Sequence, residues 1–192
     1  MIRALYDWTL ALASHPRAVW ALALVSFAES SVFPIPPDLM LIPMILATPH
    51  RAFFLAFVCT AASVAGAVAG YGMGYFAFEA VGAPVLEALG KGEAVAAFAD
   101  RYNQYGAWIV LVAGVTPFPF KVVTVLSGFS AMSLPVFIFT SILARGLRFF
   151  IVAGLLWQFG PPIRGFIEQR LGLMFTLFMV LLIGGFFLAG FL

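Results

Sequence analysis

Charge is scarce in this sequence. Only 9% of its 192 residues are Asp, Glu, Lys or Arg, against roughly 25% in soluble domains. With 64% hydrophobic residues and a mean hydropathy of +1.09, the chain cannot cover itself with polar surface. That excludes a soluble monomer and implies an integral membrane protein. The net charge of +2 is small and scattered, which excludes nucleic-acid binding. Cysteine is almost missing. Cys59 stands alone, so no disulfide framework or cysteine metal site forms within the chain. The N-terminus has no basic segment leading into a short apolar core and cleavage site, so no cleaved signal peptide is expected. The length suits one membrane domain, 1–192, with no separate soluble domain.

Against this background, polar residues inside apolar runs stand out. The run 18–47 contains Glu29-Ser30-Ser31-Val32-Phe33-Pro34-Ile35-Pro36-Pro37-Asp38 at its centre. Proline removes backbone donors and breaks a helix. An acid near the bilayer centre costs at least a few kcal/mol, so such acids mark ion or substrate paths. A second run, 106–130, is broken by Thr116-Pro117-Phe118-Pro119-Phe120-Lys121, which repeats the Pro-x-Pro-x-charge spacing with opposite sign. The breaks are therefore Pro34, Pro36 and Pro37 in the first run, Pro117 and Pro119 in the second. As one helix the first run would be about 45 Å long, against a hydrocarbon core of about 30 Å. It is either a broken span or a re-entrant hairpin, and its irregular backbone must be covered or hydrated.

The remaining segments read more simply. Residues 1–17 suit an interfacial helix, with Leu5, Trp8 and Leu12 on one face. Residues 52–80 form a transmembrane helix whose Gly66, Gly70 and Gly74 make a face that another helix can approach closely. Residues 82–105 form surface helices carrying a solvated charged face. Transmembrane helices follow at 134–158 and 171–192, separated by Gly160-Pro161-Pro162 and a short charged loop.

Basic residues select the topology. Arg3, Arg17 and Arg51 flank the first broken run on both sides, and both flanks are cytoplasmic by the positive-inside rule. A simple span cannot do this; a hairpin can. The expected fold is all-α and integral to the membrane: an inverted repeat of re-entrant helical hairpin plus transmembrane helix, with amphipathic interfacial helices and a final transmembrane helix. Such repeats with broken helices characterise secondary transporters, whose sites lie at the repeat interface.

In that arrangement Glu29, Asp38, Lys121, Arg145 and Arg148 all fall at membrane depth. Lys121, Arg145 and Arg148 suit an anionic headgroup, because a guanidinium forks onto phosphate oxygens and an ammonium acts as a point charge. Glu29 and Asp38 suit proton coupling, and a sodium-coupled variant is equally compatible. The competing reading is a non-transporting scaffold in which these charges neutralise one another. No Ser-His-Asp set, paired metal ligands or P-loop is visible, so an enzyme is not expected, nor is a cofactor or metal.

At these residues, together with Ala144-Arg145-Gly146-Leu147-Arg148-Phe149-Phe150, the chain resembles the DedA family of membrane proteins, also called the VTT or SNARE-associated group, and within it the YqaA-like branch. The resemblance implies paired re-entrant hairpins and movement of lipids across the bilayer. It implies a lipid phosphate substrate, undecaprenyl phosphate or a phospholipid, moved at the expense of the proton gradient. Glu29 and Asp38 match the family's essential acids; Arg145 and Arg148 match its membrane arginines more loosely. Commoner members carry Gly-Arg-Phe-x-Pro-Gly-x-Arg at the second break, where this chain has Lys121 in place of the last arginine. The expected partners are membrane lipids and protons or sodium, with a homo-oligomer allowed. The expected location is the bacterial inner (plasma) membrane, with the N-terminus in the cytoplasm.

Overall fold

The computed structural model describes residues 17–31, 36–82, 92–116 and 118–189, with the backbone alone at 81, 95, 161 and 163–189. The interfacial helix expected at the N-terminus, Pro34, Pro117 and the segment 83–91 lie outside the described residues. Within them every element is helical: α1 (Ala18–Ser31), α2 (Asp38–Ala47), a 3-10 turn (Pro49–Arg51), α3 (Ala52–Ala77), a π turn (Phe78–Gly82), α4 (Gly92–Val115), α5 (Phe120–Phe129) and α6 (Leu134–Ala189).

The prolines start helices as well as stop them. Proline lacks only a donor that the first turn leaves unused, so it is tolerated there. The amides of Met40 and Leu41 accordingly donate to the Pro37 carbonyl, opening α2. Pro119 plays the same part for α5, with the Val122 amide on its carbonyl. Asp38 in the first turn of α2 complements the helix dipole, whereas Lys121 in the first turn of α5 opposes it.

The chain returns where it began. Ala18 and Leu22 at the start of α1, Met44 and Ile45 near the end of α2, and Ala52 and Leu55 at the start of α3 share one apolar core cluster. α1 and α2 are thus two arms of an antiparallel pair. The second pair is shown by side chains: Tyr102 of α4 meets Ser127 of α5, while Gly114 of α4 lies against Phe120 of α5. A second core cluster joins these arms to Ala67 and Tyr71 of α3 and Phe137 of α6. The first cluster takes in Phe149, Ala153 and Leu156 of α6 instead, so α3 and α6 run antiparallel.

α3 is the central strut because its small residues let two backbones come close. A methyl group on Gly66 would overlap the Phe27 carbonyl of α1, and one on Gly74 would overlap the Val125 carbonyl of α5. The spacing Gly66-x-x-x-Gly70-x-x-x-Gly74 predicts such a face. α3 packs on α1 and α5; α6 packs on α4 and α2. Each long helix therefore holds the first arm of its own half and the second arm of the other half.

The outside is apolar. Trp20, Phe57, Phe76, Trp108 and Phe139 are each more than half exposed, far more apolar surface than water would tolerate. Pro49–Ala80 and Leu134–Gly160 are long and apolar enough to cross a membrane.

Two boundaries differ from the sequence expectation. α4 runs unbroken through Tyr105 and Gly106, where a surface segment was expected to end. The reason is that Tyr102, Gly106, Val110 and Ala113 lie on one buried face, so the inner stripe starts a turn earlier. α6 continues helically through Gly160-Pro161-Pro162 to Ala189, where a break, a loop and a separate final helix were expected. Two adjacent prolines withdraw only the bonds to the carbonyls of Trp157 and Gln158, and membrane helices absorb such losses.

Candidate functional site

The two chain breaks converge on the first part of α6. Arg145 and Arg148, three residues apart, lie on neighbouring turns and reach different breaks. Each takes a carboxylate from the first half of the chain. Arg145 Nη2 donates to Glu29 Oε2, near the end of α1. Arg148 Nη2 donates to Asp38 Oδ2, at the start of α2, and its Nη1 donates to the Thr116 carbonyl at 2.8 Å. One guanidinium therefore bridges both breaks.

The inner pair is buried. The Arg145 side chain is 1% exposed and that of Glu29 11%. Arg145 Nε donates to the Ser63 hydroxyl at 2.6 Å, and Ser63 shares a 2.6 Å hydrogen bond with Ser30. Ser30 also donates to Glu29 Oε2 at 3.2 Å. The Arg145 guanidinium carbon lies 4.9 Å from the ring centroids of both Phe120 and Phe149. An aromatic face attracts a desolvated cation by about 2 kcal/mol. Charge, hydrogen bonds and π faces together satisfy a guanidinium that has left water.

The outer pair is more open, with the Asp38 and Arg148 side chains each 17% exposed. Lys121 is partly buried in the first turn of α5, and its carbonyl accepts from Thr124 Oγ1 at 2.8 Å. The same hydroxyl reaches the Ser30 carbonyl at 3.1 Å, tying α5 to the end of α1. Pro37 is buried beside the site; Pro36 and Pro119 are partly buried.

The structure thus brings together Glu29 with Arg145 and Asp38 with Arg148. Of the three basic residues grouped in the sequence, Arg145 is buried and engaged by Glu29 and Ser63, while Arg148 is engaged by Asp38 and the Thr116 carbonyl. Ser30, Ser63, Thr124 and the Thr116 carbonyl were not foreseen. Ser30, beside Glu29, and Thr116, beside Pro117, lie within the stretches that the sequence singles out; Ser63 and Thr124 carry no such signal.

An apolar helical exterior around a buried, paired set of charges fits an integral membrane protein. The VTT domain family model matches residues 35–158. A Haemophilus influenzae protein is 38% identical over 151 residues, 79% of this chain and 78% of the relative. A Histophilus somni protein is 37% identical over 151 residues, with the same shares of each chain. Both are uncharacterized proteins, and no solved structure matches. The chain belongs to the VTT-domain, or DedA, family. Membership points in general to a membrane transporter or flippase.

Proposed function

We propose that the protein carries a lipid phosphate, undecaprenyl phosphate or a phospholipid, across the bacterial inner membrane and couples this to the proton gradient. The observation that carries the reading is the bridge at Arg148, whose guanidinium joins Asp38 at one break to the Thr116 carbonyl at the other. In this reading 18–47 and 106–130 are re-entrant hairpins entering from opposite faces, with the N-terminus cytoplasmic. The exchange of second arms between α3 and α6 supports an inverted repeat.

The chemistry follows from competition. A carboxylate and a phosphate want the same guanidinium fork. Protonating Asp38 removes the charge that holds Arg148, and the freed edge takes a phosphate oxygen. Lys121 adds a point charge nearby. Losing the proton restores Asp38 to Arg148 and expels the phosphate. Arg145 serves to hold the two halves together rather than to grip lipid. The reading is of a transporter and not an enzyme.

Reconstituted protein should move a labelled lipid phosphate faster than empty vesicles, with a panel of headgroups ranking the substrates. Folded Asp38→Asn should lose the pH dependence of that rate. If Asp38→Asn and Glu29→Gln both leave rate and pH dependence unchanged, the coupling assignment is wrong.

One observation favours the scaffold reading: the Glu29–Arg145 pair is buried and mutually satisfied, as a structural ion network is. Cysteines introduced at Ser31 and Thr116 separate the two. A water-soluble maleimide reaching either from one side supports a transport cavity, and protection of both from both sides supports the scaffold.

A further inference from the structure

Among the described residues, buried polar side chains are spread unevenly about the Glu29–Arg145 pair. Toward the end where α1 starts and α2 finishes, the core is mainly apolar, built from residues such as Leu22, Leu41, Ile45, Leu55 and Phe149. Its buried Ser26 and Thr60 hydroxyls turn back onto the Leu22 and Ala56 carbonyls of their own helices. Toward the other end, hydroxyls follow one another. Thr124 Oγ1 touches the Ser30 carbonyl beside Glu29, and Ser127 lies on the next turn of the same face of α5. Ser127 Oγ meets the Tyr102 hydroxyl at 2.9 Å. At the far end the Ser130 carbonyl accepts from Asn103, which is exposed.

Two further hydroxyls in this half stand out. Ser130 Oγ and Ser141 Oγ are buried, with no hydrogen-bond partner. Ser141 precedes Arg145 by one turn of α6, and Ser130 sits in the turn beside Asn103. They bracket the row at its deep end and at its mouth. A buried hydroxyl without a partner is costly unless water serves it, and a polar site between several hydroxyls is where internal water resides. Gly70 lets α3 approach the row closely, since a methyl group there would overlap Thr124 Oγ1.

We propose that this row is a one-ended water path, joining the Glu29–Arg145 pair to the aqueous face that carries Asp100 and Asn103. The apolar cluster seals the opposite direction. The path rests on the transport reading only for its use, which is to deliver the coupling proton to Glu29 from a single side. Each hydroxyl or water in such a path accepts one proton as it passes one on, so the path itself is unchanged. The charged groups around its inner end are Arg145 and Arg148 of α6, Asp38 of α2 and Lys121 of α5.

The test uses silver ion, a small thiol-binding cation, on full-length protein in sealed, uniformly oriented vesicles. Ser141→Cys and Ser130→Cys are made in a Cys59→Ala background. Both are near-isosteric, and neither breaks a side-chain hydrogen bond, so both variants are expected to fold. Ser130→Cys keeps the test decisive if Ser141→Cys misfolds. Silver added on the Asp100–Asn103 face should block later maleimide labelling of both cysteines. Silver on the His50–Arg51 face should block neither, and native Cys59, inside the apolar cluster, should remain unblocked from both. Protection of both introduced cysteines from both faces, or blocking from the His50–Arg51 face, overturns the proposal. Translocation is read separately, so blocked cysteines without lipid movement would sink the transport reading and leave the path standing.

Discussion

Glu29 and Arg145 hold each other where neither can return to water cheaply. Removing one member of such a pair strands a buried charge, which costs about 3–5 kcal/mol, whereas replacing both with apolar groups is often neutral. Glu29→Leu and Arg145→Met should each lower the unfolding midpoint in detergent sharply, and the double variant should recover most of the loss. Ser63 is the third member, accepting from Arg145 Nε while bonded to Ser30. Ser63→Ala should cost about 1.5–3 kcal/mol, as for a lost hydrogen bond to a charged group. The charges were legible in the sequence because ionised residues are rare inside apolar runs. Ser63 and Thr124 were not, because membrane helices commonly carry hydroxyls that bond back to their own backbone, as Thr60 does to the Ala56 carbonyl.

At the scale of elements, two positions decide how helices meet and turn. Gly66 and Gly74 face backbone, which cannot step aside as a side chain can. Gly66→Val should therefore part α1 from α3 and cost about 3 kcal/mol or prevent folding, seen as loss of the monodisperse peak in gel filtration. The turn after α5 closes with the Met132 amide on the Ser127 carbonyl and the Ala131 amide on the Gly128 carbonyl. This C-terminal cap needs a left-handed residue, and Ala131 supplies it at φ 48°. Glycine carries no Cβ penalty there, so Ala131→Gly should stabilise by about 1 kcal/mol, read as a raised thermal midpoint. The breaks at the proline clusters were readable from composition. The inward face of the early part of α4 was not, since its flanking charges gave the segment the look of a surface helix.

At the scale of the molecule, each half is incomplete. α2 rests on α6 and α5 rests on α3, while the first half carries the acids and the second half the arginines. Either half alone would leave charges unpaired in an apolar setting. Co-expression of the two halves, divided between residues 83 and 91, should give a complex that copurifies. Either half expressed alone should be degraded. Recovery of a stable first half by itself would argue that the two ion pairs do not hold the halves together.

Composition and patterning by themselves determined that the chain is an apolar helical bundle with two broken runs and five charged residues inside apolar sequence. Those follow from local physics: hydropathy, the missing donor of proline, and the cost of charge in hydrocarbon. Which carboxylate meets which arginine was decided only by the tertiary structure, because the partners lie 116 and 110 residues apart. So was the division between a deeply buried inner pair and a more open outer one. Burial depends on what the opposite half places alongside, here the rings of Phe120 and Phe149, and no local pattern encodes that.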